Sequence, residues 1–420
     1  MTDLEKVIRC RERLCIRAKE CEPKVVAFLR EMIAIPGESS REKQVIGRIE
    51  REMREVGFDE IRIDGMGNIL GRIGSGNRVI MMDSHTDTVG IGDPKEWKWD
   101  PYQGKVDNGY VYGRGACDQR AGMACMVYAA KLIKELDLLG DYTLWIVGSV
   151  QEEDCDGLSW IYILREDGIR PELVLITEPS SLRVYRGHRG RIEIEVHVRG
   201  RSCHASAPER GDNPIYKMNA LVHEIEHLNS QLKYDPFLGK ATIAVTDIRS
   251  LSPSLCAVPS SCTIHLDRRL IAGETKESAI AEIRTLPSAL DAEIEVLEYK
   301  QASYTGLVYP MEKYYPTWVL EEDHPAVRAA VHTFEQINGI APVVDKWTFS
   351  TNGVGSMGIC GVPTMGFGPG DEVDAHSVCE RVSIQHLVKA VQLYAAFPLI
   401  YVNAVERSDS ARESAARALA

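Results

Sequence analysis

The sequence predicts an α/β protein with a smaller α+β unit inserted into it. Three observations lead there. Between Ile61 and Ile176, apolar runs of strand length alternate with segments of helical periodicity, as in a sheet with helices on both faces. From Arg191 to Val198 the segment R-I-E-I-E-V-H-V alternates strictly, the signature of a strand with one solvated face. Beyond about residue 300 the first kind of pattern resumes.

The elements follow in order. The first sixty residues read as helices, with Val45, Ile46, Ile49, Met53 and Val56 at helical spacing after Ser39-Ser40. Strand-like runs come near Ile61, Ile69 and Val79. A helix is expected over Arg120 to Leu136, a strand over Tyr142 to Val150, a helix over Gly157 to Glu166 and a strand at Leu173. In the insert, helices over Asn213 to Leu232 and from Glu274 lie among strands at Arg191, Thr242, Cys262 and Ile294. Helices near Pro325 to Gln336 and Ser383 to Ala396 close the chain. The expected organisation is one domain from residues 1–186 and 300–405, an insert at 187–299, and a flexible tail at 406–420, rich in Ala, Arg, Ser and Glu.

Composition narrows the function. A chain of 420 residues that is 44% hydrophobic can bury a large core. Its net charge of −12 and lack of a compact basic tract argue against nucleic acid as a partner. No stretch reads as a membrane span, and the charged start Met1-Thr2-Asp3-Leu4-Glu5-Lys6 lacks a secretory apolar region, so a cytoplasmic location is expected. The 11 cysteines form no C-x-x-C pair and read as reduced, structural thiols.

Acidic and histidine residues recur where strand-like runs end. His85 and Asp87, two apart after Val79-Ile80-Met81-Met82, share one face of an extended segment. That spacing suits a metal-binding imidazole oriented by a carboxylate. Gly113-Arg114-Gly115-Ala116-Cys117-Asp118 is a glycine-rich turn ending in a carboxylate. Gln151-Glu152-Glu153-Asp154 follows Thr143 to Val150, and Glu178-Pro179 follows Leu173 to Ile176. Asp374-Ala375-His376 comes after the loop Gly366 to Gly370. Two imidazoles with several carboxylates suit zinc or a similar divalent ion, and a pair of ions needs a carboxylate between them.

The ordered set H-T-D at His85, G-R-G-A-x-D at Asp118, E-E at Glu152, E-P at Glu178 and A-H at His376 resembles the zinc aminoacylase, acetylornithine deacetylase and glutamate carboxypeptidase superfamily of two-metal hydrolases. The likeness covers roughly Glu22 to Asn403 and is nearest to a subgroup named for selenium metabolism. It implies a catalytic domain on a mixed sheet with an inserted lid and dimerisation domain. It implies two Zn²⁺ per subunit, with Co²⁺ or Mn²⁺ as substitutes. By resemblance, His85 and Glu178 hold one metal, Glu153 and His376 the other, and Asp118 bridges them across a cis Asp118–Gln119 bond. Asp87 orients His85, and Glu152 is the general base. Glu152 and Glu153 are adjacent, so the turn after Val150 must bend for both to serve one site.

The same resemblance reaches the insert. Gly200 to Pro208 matches G-x-x-x-H-A-x-x-P, which makes His204 a donor to the developing oxyanion in the partner's site of a homodimer. Asp267-Arg268-Arg269 matches D-x-R, with Arg269 binding a substrate carboxylate. Asn352 stands where relatives often have an aspartate, and Gly368 offers a backbone N–H to substrate. The expected activity is hydrolysis of a linear amide, an N-acyl amino acid or related small amide. A dipeptidase or carboxypeptidase on the same site, and a non-catalytic metabolite binder, are the alternatives.

Overall fold

The computed structural model describes residues 3–419, with side chains for 10–407. Its centre is an eight-stranded mixed sheet in the order 60–63, 69–73, 142–149, 78–85, 173–176, 364–366, 184–185, 344–345. The strand Arg78–His85 lies at its heart, parallel to Tyr142–Ser149 on one side and Leu173–Ile176 on the other. Thr364–Gly366 extends this parallel set.

Strand alternation divides the sheet between two cores. Ile80, Met82, Leu144, Ile146, Leu173 and Leu175 pack on one side. That side is covered by the helices Asp3–Ile33, Arg120–Glu135, Pro325–Asn338 and Ile384–Leu419. Met81, Trp145, Val147, Val174 and Ile176 point the other way, onto Trp160, Trp318 and Trp347. Because both faces are covered, these strands read as continuous apolar runs.

The insert is an antiparallel sheet in the order 242–251, 261–270, 190–199, 293–296, with Tyr314–Tyr315 also paired to Gly190–Arg199. Ile192, Ile194, Val196, Ile264 and Leu266 pack under the helices Pro214–Gln231 and Lys276–Arg284. The opposite sheet face is polar and looks toward the cleft between the two units. The return path is longer than the expected boundary at 299. Tyr314–Tyr315 still belongs to the insert's sheet, and Trp318–Val319 pairs with Gly187–His188 where the chain crosses over.

The expected flexible tail at 406–420 falls mostly on residues that lie outside the described ones: the last helix is assigned to Leu419, while Ala420 and the side chains past 407 are not described. One further expectation changes. Within that helix, Ile384–Arg407 is a 24-residue stretch apolar enough to cross a membrane, contrary to the reading that no such stretch exists. Here 72% of its most apolar window is buried against the other helices. An apolar surface all round suits a core helix as well as a lipid-facing one.

Candidate active site

Three parallel strands end within two residues of one another in register, and the site lies just past their carboxyl ends, as open α/β sheets dictate. His85 is the last residue of its strand, in register with Ser149. Glu152 and Glu153 follow that neighbour, and Glu178 follows Ile176. The chain bends after Val150 as the adjacent glutamates require, with Gln151 in the left-handed region at φ +55°. The Asp87 carboxylate holds this bend, accepting the backbone N–H groups of Glu152 at 3.3 Å and Glu153 at 3.1 Å and the Ser39 hydroxyl at 2.7 Å.

Asp118 sits between the two histidines. Its Oδ1 lies 2.9 Å from His85 Nε2, and its Oδ2 lies 3.1 Å from His376 Nε2. Glu178 Oε1 is 3.5 Å from His85 Nε2, and Glu153 Oε2 is 3.0 Å from His376 Nε2. Glu152 Oε2 is 3.9 Å from His85 Nε2. The peptide bond between Asp118 and Gln119 is cis. The Gln119 carbonyl accepts the Ser84 hydroxyl at 2.9 Å, and its side-chain oxygen accepts that of Thr177 at 2.8 Å.

The electrostatics follow from burying four carboxylates together. Burial, with the charges of neighbouring acids, pushes the Glu152 and Glu178 carboxyls well above their ordinary range. Burial beside Asp118 raises Glu153 to about 7. Hydrogen bonds donated to the Asp118 and Glu153 carboxylates raise His376 to about 10. Burial opposes the charge on Asp118, but its bonds to His376 and His85 outweigh it and hold the carboxyl below its usual range. Glu152 Oε1 and Glu178 Oε2 have no hydrogen-bond partner although buried. Buried oxygens without partners are rare, and two beside a pair of imidazoles mark a cation site. His85, Asp118 and Glu153 present donor atoms within 4.8 Å of one another, as do His85, Glu152 and Glu178. The donor set therefore fits two divalent ions.

Some expected residues stand elsewhere. The nearest acceptor to His85 Nδ1 is the Asp87 backbone carbonyl at 3.0 Å; the carboxylate is at 3.5 Å. Asp87 thus orients the imidazole chiefly through its carbonyl and spends its carboxylate on the Glu152 turn. Asn352 was expected at the substrate, and the structure corrects this. It is fully buried, donating to Asp83 and Ser149 at 2.9 Å each and accepting from the Gly157 N–H at 2.9 Å. An anion there would face the buried Asp83 carboxylate, which explains the amide. Gly368 is corrected too. Its N–H donates to the Ser180 hydroxyl at 2.9 Å, and a Cβ at this position would collide with the Glu178 and Thr177 carbonyls. It lets the backbone pass behind Glu178 and offers nothing to a ligand.

Arg269 does line the cavity, which is about 320 Å³ in volume and also bounded by Asp118, Glu152, Glu178 and His376. The neighbour Arg268 faces the insert's core, paired with Glu274 at 2.9 Å and Glu282 at 3.0 Å. His204 lies outside its own chain's cavity, exposed on the insert, with Nδ1 2.7 Å from the Ser206 hydroxyl.

Sequence reasoning missed four residues. Glu380 is buried and accepts the backbone N–H groups of Cys117 at 2.9 Å and Asp118 at 3.0 Å, while Arg114 neutralises it at 2.6 Å. Glu42 accepts the Gln151 N–H at 3.0 Å, and burial raises its carboxyl to about 8. Asp156 and Arg191 line the same cavity as the carboxylate cluster. Glu42 and Glu380 lie in polar segments with no periodicity. Arg191 could have been suspected, since it is a cation on the same strand face that carries Glu193.

Residues 81–399 match the profile of peptidase family M20/M25/M40. The chain belongs to this family. Among its relatives, the uncharacterized protein YgeY of Escherichia coli K12 is 53% identical over 92% of this chain and 96% of its own length. A succinyl-diaminopimelate desuccinylase of Magnetococcus marinus is 26% identical over 88% and 96%. The Bacillus subtilis YXEP protein, a dinuclear metal-binding M20 peptidase, has the same fold, with a TM-score of 0.67 at 14% identity over 91% of this chain and 98% of that one. As an M20 protein, this chain is a metal-dependent hydrolase.

Proposed function

We propose that the chain hydrolyses a linear amide, an N-acyl amino acid or a related small amide, with two zinc ions and Glu152 as general base. Asp118 carries the reading, because its two oxygens face different imidazoles. In it, His85 and Glu178 hold one ion, Glu153 and His376 the other, and Asp118 lies between. When bound, the ion pair polarises the scissile carbonyl and lowers the pKa of the attacking water.

The remaining roles fall to side chains. Glu152 takes the proton of the attacking water and returns it to the leaving amine. Its buried carboxyl, held above the ordinary range, suits a group that must both accept and donate. Arg269 receives a carboxylate of the substrate by a charge-assisted pair. His204 acts in the partner's site of a homodimer, donating to the oxyanion as charge develops. Support for the dimer comes from the edge strand Thr242–Leu251, where Ile248 and Leu251 are exposed, as is Leu255 just beyond. A cytoplasmic location is part of the reading, supported by eleven cysteines, all unpaired.

The test is Glu152→Gln on the substrate found by screening an amide library with zinc-, cobalt- and manganese-loaded protein. The variant should keep about two metals per chain and lose roughly 10²–10⁴-fold in kcat. Turnover at the wild-type rate would falsify the assignment. A peptidase specificity is the second reading, favoured by Asp156, an anion in the lining of the cavity.

A further inference from the structure

Two groups of polar residues line the cavity. The first is Glu152, Glu178 and His376, whose partnerless glutamate oxygens belong to the proposed cation site. The second is Asp156, Arg191, Arg269 and Ser350. Here too polar atoms are buried without hydrogen-bond partners: Asp156 Oδ2, Arg191 Nε and Ser350 Oγ. Asp156 is only 6% exposed, and its nearest cation, Arg191 Nη2, lies at 3.4 Å, longer than a good charge-assisted bond. Arg191 is fixed in place by stacking on the buried Tyr315 ring, 4.4 Å from its centroid. Three polar atoms left open in the lining of one cavity call for a polar ligand there.

The charges say which kind. Both arginines already have carboxylates. Arg269 is held by Asp267 at 2.7 and 2.9 Å, and Arg191 faces Asp156 and, at 3.8 Å, Glu193. A simple anion would find no uncompensated cation here. A group that brings a cation to Asp156 and an anion to the arginines would satisfy both signs at once. Arg191 and Arg269 are directly cross-strand on the cleft face, so they present one surface. Asp156 comes from the Glu152 loop, four residues from the proposed base, so a cation bound to it lies near the reacting amide.

We propose that Asp156, set against Arg191, is a specificity-determining residue that binds a free ammonium group of the substrate, so that zwitterionic amides are preferred over N-acyl amino acids whose acyl part carries no amine. This rests on the amide-hydrolase reading and narrows its substrate class.

Alanyl-alanine and propionyl-alanine test it, since they share a skeleton and differ only in the ammonium. Binding is measured by calorimetry on zinc-loaded Glu152→Gln, which separates recognition from turnover. Alanyl-alanine should bind about tenfold or more tighter, as expected for a charged hydrogen bond. Asp156→Asn, made in the same background, should bring the two within about twofold, and Asp156→Glu, which keeps the charge, should restore a preference. Metal content and melting temperature show whether each variant is folded. Equal affinity, no binding of either probe, or a preference that survives Asp156→Asn overturns the proposal. Failure of the hydrolase reading shows differently: alanyl-alanine still binds, but the wild-type enzyme turns over no amide in the library.

Discussion

Arg268 and Arg269 are adjacent and chemically identical, and strand parity alone separates them. Leu266, Arg268 and Leu270 face the insert's core, while Asp267 and Arg269 face the cleft. Removing them should therefore fail in different ways. Arg268→Ala strands Glu274 and Glu282, and is expected to cost about 3–5 kcal/mol of stability in denaturant titrations. Arg269→Ala should keep the melting temperature close to wild type and raise KM for a carboxylate-bearing substrate. A stability loss of equal size in both would show that the parity argument is wrong. The convergence of His85, Asp118, Glu152, Glu153, Glu178 and His376 was expected from their ordered motifs and the resemblance these carry. Glu380 and Glu42 were not foreseen, because a carboxylate that holds a backbone turn has no required spacing from the side chain it supports.

At the level of elements, strand ends were legible and connections were not. The apolar runs before His85, Gln151 and Thr177 ended within three residues of the observed strands. Pairing between neighbours fixes where each strand stops, so the side chains beyond their carboxyl ends meet. Gly368 belongs to a connection. Sequence suggested an open N–H in a Gly-Pro-Gly turn, but the loop runs so close behind Glu178 that only glycine fits. Gly368→Ala should push the Glu178 backbone and weaken metal retention during dialysis. Unchanged metal content would argue against this. The last helix shows the same limit. Its apolar pattern ran past the expected end at Ala396 because helices 3–33, 120–135 and 325–338 surround it.

Across the whole molecule, the two units meet where Gly187–His188 pairs with Trp318–Val319. His188 is buried there as a neutral ring. Its Nδ1–H donates to the Arg189 carbonyl at 2.8 Å, and Nε2 accepts from Trp318 Nε1 at 2.7 Å and from the Thr351 N–H at 3.0 Å. Burial lowers its pKa from 6.5 to about 4. The unfolded chain takes up this proton below about pH 6.5, and the folded chain resists it until about pH 4. Stability should therefore fall as pH drops through that window, by at most about 1.4 kcal/mol per pH unit from this group, and not change on its account above it. Thermal melts from pH 7 to 4.5 should be steeper for wild type than for His188→Gln; equal slopes would remove His188 from the account. Metal removal is a second test at this scale. Four buried carboxylates crowd around two imidazoles, and ions that bind only the folded chain stabilise it by mass action. Chelation should lower the melting temperature, and restored zinc should recover it.

The residue order alone determined the α/β class, the insert and the set of side chains able to hold two cations. Those features are written in periodicity and residue type, which are local. Tertiary structure decided which carboxylates converge on the cavity and which hold the backbone, that Asn352 and Gly368 are internal supports, and that Asp156 and Arg191 join the cavity lining. These depend on distances between segments hundreds of residues apart, set by sheet register and by the crossing between the two units, and no local pattern encodes them.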